Sequence, residues 1–279
     1  MPELPEVQTI VSQLNEALKG KVISDVEVRL PKLFIGSRDQ VLGSRIGNVR
    51  RRAKMIIIDL EGPLSMVVHL KMTGQLIVGQ GDFSFPNPIP FAGKTLPGKT
   101  THVIFTFTDG SKLFFNDMRQ FGWIKVLNDE EIKEVDDKHG PDALGTSFTS
   151  EYLQKICANW GRPIKLLLLE QSKIAGIGNI YANEALWFAQ ISPMKRGREV
   201  TRIKELHEAI EKVLEMGIKY GGSSAADETF VNARGEGGHM QEHFMVYQKD
   251  GTECPRCKNK IVRSTIGGRG TFFCPKCQA

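Results

Sequence analysis

Residues 254–277, CPRCKNKIVRSTIGGRGTFFCPKC, decide how this chain must end. Two Cys-x-x-Cys pairs, Cys254-Pro-Arg-Cys257 and Cys274-Pro-Lys-Cys277, stand sixteen residues apart, which is the spacing of a structural zinc site. Thiolates at the ends of two tight knuckles close a tetrahedron around one Zn2+ and leave no open coordination position, so such a site stabilises and does not catalyse. The competing pairing, two disulfides, requires an oxidising compartment, and nothing else in the sequence argues for one. The fifth cysteine, Cys157, reads as an inert buried thiol.

Working outward, the finger is an appendage. At 279 residues the chain is long enough for one large or two ordinary domains with cores of their own. A composition of 41% hydrophobic and 25% charged residues is that of an ordinary globular protein. No apolar run reaches the roughly 18 residues that span a bilayer, and the N-terminus lacks a charged-then-apolar signal pattern. The expected location is therefore the cytoplasm. Net charge is only +5, but it is unevenly placed. Residues 249–279 carry seven basic and two acidic residues, whereas 129–142 carry seven acids and two lysines. Arg45, Arg50, Arg51, Arg52 and Lys54 form a second basic cluster with no acid inside it. Two basic patches can meet one polyanion; either alone is equally well a solvated face.

Upstream, Val7, Ile10, Val11, Leu14 and Leu18 recur at helical spacing between Pro5 and Gly20, predicting an amphipathic first helix. From Val22 to Leu127 the pattern turns to short β-branched and aromatic runs: Val22–Leu30, Met55–Leu60, Leu64–Leu70, Gln75–Val78, His102–Thr108, Lys112–Phe115 and Gly122–Leu127. Asp109-Gly110 is a hairpin signal, and this many strands suggest a sandwich or flattened barrel. Residues 79–100, rich in Gly and Pro, read as a surface loop, and the acidic stretch 128–142 as a link. Helical spacing returns over Ser150–Ala158, Pro163–Glu170, Asn179–Ala189 and Val200–Tyr220. Gly176 and Gly178, between the second and third of these, let backbone approach an anion at a helix N-terminus. An ordinary helical hairpin gives the same pattern. Residues 221–242 form a Gly- and Ser-rich stretch too long for a simple turn.

The sequence holds no nucleotide P-loop, dinucleotide fingerprint or Gly-x-Ser-x-Gly elbow in the required context. His69, His102, His139, His207, His239 and His243 show no metal-ligand spacing. The unusual feature is the start, Met1-Pro-Glu-Leu-Pro-Glu6. If Met1 is removed, Pro2 presents a secondary amine that titrates near neutrality. Attack by that amine on a sugar or carbonyl carbon gives a cationic iminium, an electron sink, with Glu3 beside it as acid or base.

Six motifs then occur in order: Pro2-Glu-Leu-Pro-Glu6-Val, Arg51-Arg-Ala-Lys54, His69-Leu-Lys-Met72-Thr-Gly, Asn116-Asp-Met-Arg119-Gln-Phe121-Gly, Gly176-Ile-Gly-Asn179-Ile-Tyr181-Ala-Asn-Glu184 and Gly268-Arg269-Gly-Thr-Phe-Phe-Cys-Pro-Lys-Cys277. In them the chain resembles the formamidopyrimidine-DNA glycosylases over its whole length. The resemblance implies a bifunctional glycosylase and abasic-site lyase. It would excise 8-oxoguanine and formamidopyrimidines from damaged duplex DNA by Schiff-base chemistry and β,δ-elimination, as a monomer. It also implies an α+β fold with a leading α-helix. An N-terminal β-sandwich (1–128), a linker (129–147), a helix-two-turn-helix domain with a damaged-base loop (148–248) and a zinc finger with a β-hairpin (249–279) would follow one another.

By the same resemblance Pro2 attacks C1′, Glu3 transfers protons, Glu6 is a second active-site carboxylate, and Lys54 meets the phosphate and sugar of the damaged nucleotide. Met72, Arg119 and Phe121 fill the hole left when the base leaves the stack, a hole that costs a few kcal/mol if empty. Arg119 also holds the orphaned partner base. Lys165, Asn179 and Arg269 grip flanking phosphates, Tyr181 belongs to the same motif, and His69 and His102 are weaker phosphate candidates. The loop from Gly221 to Asn232 is longer than usual and has Phe230 where Tyr is common, so lesion preference is less fixed than chemistry. The alternatives are an endonuclease VIII-like enzyme acting on oxidised pyrimidines, against which Met72 and Arg119-Gln-Phe121 argue, and a catalytically silent zinc-dependent DNA-binding protein.

Overall fold

The computed structural model describes residues 1–80, 83–224 and 230–278. Two compact units account for them: residues 1–137 with 220–241, and residues 138–219 with 242–279.

In the first unit, α1 (Leu4–Leu18) buries Leu4, Val7, Ile10, Val11, Leu14 and Leu18, the stripe that the sequence spacing predicts. Pro5 sits in its first turn, where a missing N–H costs nothing. The strands are β1 (Ile23–Val28), β2 (Phe34–Ile35), β3 (Ile46–Arg52), β4 (Met55–Leu60), β5 (Leu64–His69), β6 (Gly74–Gln80), β7 (Phe83–Ile89), β8 (Gly93–Leu96), β9 (Thr101–Phe107), β10 (Ser111–Asp117) and β11 (Trp123–Asn128). They form a four-stranded sheet of order β1-β9-β10-β6, a five-stranded sheet of order β2-β11-β5-β4-β3, and a separate β7-β8 hairpin. The main core draws Ile56, Ile58 and Val68 from one sheet, Leu76, Phe105, Leu113 and Phe115 from the other, and α1. Each such side chain contributes about 1.5–3 kcal/mol by leaving water.

Two expectations change here. Residues 79–100 are not a loop: Phe85, Ile89, Ala92 and Leu96 of the β7-β8 segment bury the outer face of the four-stranded sheet against Ile77, Ile104 and Phe114. The stretch 129–137 is not a bare link either. Asn128 and Glu131 form a capping box that starts α2 (Asp129–Asp136). Its Ile132 and Val135 pack on Met55, Ile57 and Val67, the outer face of the other sheet.

The second unit contains α3 (Ser150–Ala158), α4 (Ile164–Leu169), α5 (Asn179–Phe188), α6 (Ile203–Lys219) and the hairpin β12 (Val262–Ile266) with β13 (Arg269–Phe273). Cys157 is 1% exposed, and burial pushes its thiol up to about 12. Residues 220–241, expected to belong with the helices, lie in the first unit, where Phe230 and Ala233 join the main core. Among the described residues no helix is long and apolar enough to cross a membrane.

Candidate active site and nucleic-acid interface

The first turn of α1 organises the N-terminal site. Pro2, Glu3 and Glu6 are all buried. Glu6 Oε2 accepts the Glu3 backbone N–H at 2.8 Å, and Oε1 accepts the backbone N–H of Ser223 at 2.8 Å. A carboxylate there is favoured by the positive end of the helix, and both oxygens are satisfied although Glu6 is only 2% exposed. One side chain therefore fixes the Pro2–Glu3 backbone and the base of the Gly221–Asn232 loop together. Residues 225–229 of that loop lie outside the described residues.

Lys54 is 6% exposed and follows Ala53, whose φ of +53° is strained for a residue with a Cβ. Arg51 braces this turn. Its Nη1 donates to the Ala53 carbonyl at 3.1 Å and its Nε to Gln8 Oε1, on α1, at 2.9 Å. The surrounding basic cluster is no open patch, because acids from other strands and from α2 meet it. Arg50 makes a bidentate pair with Asp59, at 2.8 and 3.1 Å, Arg45 lies 3.3 Å from Glu61, and Arg52 pairs with Asp136.

Arg119 and Phe121 extend from the turn after β10, where the Arg119 guanidinium stacks 5.0 Å from the Phe121 ring centroid. Phe121 is 57% exposed, a large apolar group left in water. The turn hangs on Asp117, itself 1% exposed. The Asp117 carboxylate accepts the Thr73 hydroxyl at 2.5 Å and the backbone N–H groups of Gly122 and Arg119 at 2.7 and 3.2 Å. Thr73 Oγ1 also accepts the Arg119 N–H at 3.0 Å. Thr73 follows Met72, so one buried carboxylate ties the turn of Met72 to that of Arg119 and Phe121. His102 Nε2 donates to the Asp117 carbonyl at 2.8 Å and the ring is 8% exposed, which places it in support rather than on the surface. His69 Nδ1 accepts the Lys71 N–H at 3.0 Å, so the proton sits on Nε2. Sequence reasoning missed Asp117, Thr73 and Arg51. All three lie inside the quoted motifs, but nothing in one sequence separates them from their neighbours.

In the second unit, Gly267 and Gly268, at φ +57° and +73°, make the two-residue turn between β12 and β13 that sets Ile266 opposite Arg269. A Cβ on Gly267 would lie 2.6 Å from Leu166 Cδ2, so the turn sits close on α4 and a larger residue would push the Leu166 side chain aside. Arg269 is exposed at the tip. Lys165 is not: it is 0% exposed, and its Nζ donates to Gly270 O at 2.7 Å, Thr271 Oγ1 at 2.8 Å and Asn183 Oδ1 at 3.5 Å. Tyr181 is likewise 0% exposed. Lys165, expected to grip a flanking phosphate, here bonds within its own unit. Asn179 opens α5 and donates from Nδ2 to the same Gly270 carbonyl at 3.2 Å, while its buried Oδ1 has no partner among the described residues, an acceptor left open to a water or ligand donor. Asn179, Lys165 and the residue after Arg269 thus meet at one carbonyl. Glu184, fully buried, accepts the N–H groups of Met245, Val246 and Tyr247 at 2.8, 3.0 and 2.8 Å. Burial raises its pKa, and those three donors pull against the rise.

The four cysteine sulfurs lie within 4.8 Å of one another, with Cys254 to Cys277 at 3.9 Å and Cys257 to Cys274 at 3.4 Å. Ligands at the roughly 2.3 Å Zn–S bond length stand about this far apart around a tetrahedral ion. The donors fit as well. Burial opposes ionisation of Cys254, but the backbone N–H groups of Cys257 and Arg256 and the Cys274 thiol beside it prevail and bring it down to about 6. Burial and the neighbouring sulfurs push Cys277 up to about 12. One thiolate suppressing the next is the conflict that a dication removes.

Comparison with known proteins matches three family models in succession: the formamidopyrimidine-DNA glycosylase N-terminal domain over residues 1–124, the formamidopyrimidine-DNA glycosylase H2TH domain over 139–229, and the zinc finger found in FPG and IleRS over 251–279. The formamidopyrimidine-DNA glycosylase of Chloroflexus aurantiacus is 39% identical, covering 100% of this chain and 98% of its own. That of Pelotomaculum thermopropionicum is 38% identical, covering 100% and 99%. Among solved structures, a Lactococcus lactis Fpg complexed with DNA containing an abasic site superposes with a TM-score of 0.86 at 30% identity over 99% of both chains. A MutM complex with DNA containing carbocyclic 8-oxo-G gives 0.85 at 30% identity, again over 99% of both.

Proposed function

We infer the activity from one premise: the chain belongs to the formamidopyrimidine-DNA glycosylase family, whose domain models match it along most of its length. It is a DNA glycosylase for oxidised purines in base excision repair, and it has the abasic-site lyase activity general to that family. Its partner is damaged DNA and its cofactor one structural Zn2+ held by Cys254, Cys257, Cys274 and Cys277. The ion supplies rigidity to the finger.

The residue roles are our proposal, and the observation that carries them is the Glu6 clasp, which holds the Pro2–Glu3 backbone and Ser223 at 2.8 Å each. With Met1 attached the Pro2 nitrogen is an amide and cannot attack; Met1 is 40% exposed, within reach of an aminopeptidase. Once freed, the Pro2 amine bonds to C1′ of the damaged nucleotide as the glycosidic bond breaks and the base departs with a proton. Glu3 protonates the ring oxygen, which opens the sugar and leaves an iminium at C1′. Loss of a C2′ proton expels the 3′ phosphate, a second elimination expels the 5′ phosphate, and water releases Pro2. Lys54, presented by the braced Ala53 turn, neutralises the phosphate of the damaged nucleotide. Met72, Arg119 and Phe121 replace the extruded base in the stack. Arg269 and Asn179 take flanking phosphates, with Lys165, Tyr181, His69 and His102 in support. The enzyme acts as a monomer in the cytoplasm, at the nucleoid when bound to DNA.

Borohydride reduction during reaction with an 8-oxoguanine duplex tests this. A covalent protein–DNA adduct is expected, and it disappears when the Pro2 nitrogen is blocked by acetylation or by retained Met1; an adduct that survives such blocking places the nucleophile elsewhere. Preference for thymine glycol over 8-oxoguanine would favour the endonuclease VIII-like alternative.

A further inference from the structure

The β7-β8 hairpin does more than cover a sheet. Its Phe85 and Ile89 share one buried cluster with Val231, on the limb by which the Gly221–Asn232 loop returns to the fold. Gly235, slightly further along, has φ +82°, and a Cβ there would lie 2.7 Å from Phe85 Cε1 and 3.1 Å from Ile89 Cδ1. The limb backbone therefore rests directly on the hairpin. The hairpin is itself fastened down: Gln75 Nε2 donates to the Pro90 carbonyl at 3.2 Å and the Thr100 hydroxyl to the Phe91 carbonyl at 3.1 Å.

Four further bonds hold the same limb. Val78 N–H of β6 donates to the Ala233 carbonyl at 2.9 Å, and Ala233 N–H donates to Gln13 Oε1 of α1 at 2.9 Å. Asn232 Oδ1 accepts the N–H groups of Arg234 and Glu236 at 2.9 and 3.1 Å. The outgoing limb is held independently, by Glu6 at Ser223. The nucleophile side and the hairpin side thus grip opposite ends of one loop.

We propose that the β7-β8 hairpin is a buttress for the loop's returning limb, and that it supports excision of the damaged base without taking part in the lyase chemistry. This rests on the proposed function, in which the loop meets the extruded base. An abasic site has no base for the loop to meet, so a loosened limb costs it nothing. A lesion base needs the limb in register, since a misplacement of about 1 Å costs roughly 100-fold.

The test uses the full-length zinc-loaded enzyme and the variants Phe85→Ala, Val231→Ala and their double. In single turnover on an 8-oxoguanine duplex, Phe85→Ala is expected to lower the excision rate at least tenfold. Cleavage of the same duplex carrying an abasic site should stay within twofold of wild type. Val231→Ala should act in the same direction, and the double variant should lose less than the product of the singles, because the two side chains belong to one buried cluster. Equal losses on both substrates, or multiplicative effects in the double variant, would overturn the buttress. Failure of the wild type to excise 8-oxoguanine would instead overturn the functional reading beneath it.

Discussion

Replacing Asp117 by Ala tests whether the wedge is held ready before DNA arrives. The carboxylate has three donors in a place that is 1% exposed. Without it the Arg119 N–H keeps Thr73 Oγ1 as acceptor, and the Thr73 hydroxyl can turn to another partner, but the Gly122 N–H is orphaned. An unpaired buried donor costs about 1–3 kcal/mol. The variant is also relieved of burying a carboxylate, so about 2 kcal/mol of local stability is the expected loss. If the turn's ordered and disordered states were near balance, that would shift their ratio about 30-fold and lower the wedge-ready population about 15-fold. On a duplex containing 8-oxoguanine, kcat/KM should fall by up to about that factor. A single-stranded oligonucleotide with an abasic site has no stacked hole to fill, and on it the variant should match wild type. Asp117→Asn, which keeps one acceptor, should fall between. Equal losses on single and double strands would refute the reasoning, because they would mean that Asp117 supports the fold in general and not the wedge.

Other outcomes follow from the same geometry. Intact mass of the active enzyme should lack Met1, and blocking its removal should abolish borohydride trapping while leaving DNA retention in a gel-shift assay. Arg51→Ala removes the bond from the Ala53 turn to Gln8; trapping should slow about tenfold and recover partly in Arg51→Lys. Glu184→Gln keeps one oxygen for the Val246 and Tyr247 N–H groups but sets an amide NH2 against the Met245 N–H, and should cost about 1–3 kcal/mol in denaturant unfolding, with faster loss of zinc to a chelator. Cys157, whose thiol is raised to about 12 in the fold, disfavours the native state once the unfolded thiol ionises. Stability should therefore be intact below about pH 8.5 and fall as pH rises towards 12, by at most about 1.4 kcal/mol per pH unit from this group. That slope should vanish in Cys157→Ala.

Much of this was legible beforehand. Helical spacing located α1 and α3 almost to the residue, and Cys-x-x-Cys spacing located the finger, because both signals are local. What escaped depended on partners distant in sequence. Arg50 and Arg52 read as free charge because Asp59 and Asp136 reach them only once β3 is paired and α2 is docked. Lys165 read as a surface cation because its acceptors, Gly270 and Thr271, lie over a hundred residues away. The β7-β8 hairpin and α2 did leave a trace. Met55-Ile-Ile-Ile58 and Leu113-Phe-Phe115 are continuous apolar runs rather than alternating ones, and a sheet face open to water does not need them. Such runs call for covers, and the Gly- and Pro-rich composition of 79–100 concealed one of them.

The bond from Ser223 to Glu6 spans 217 residues. During synthesis the catalytic unit therefore stays open until four-fifths of the chain has left the ribosome, since its last piece, residues 220–241, comes after four helices. A truncated product would lack the Ser223 N–H that Glu6 Oε1 accepts, and its first turn would be poorly fixed. For an enzyme that cuts DNA backbone, this makes completeness of the polypeptide a safeguard: fragments cannot assemble the nucleophile's surroundings, and stray nicking by unfinished chains is suppressed by topology alone.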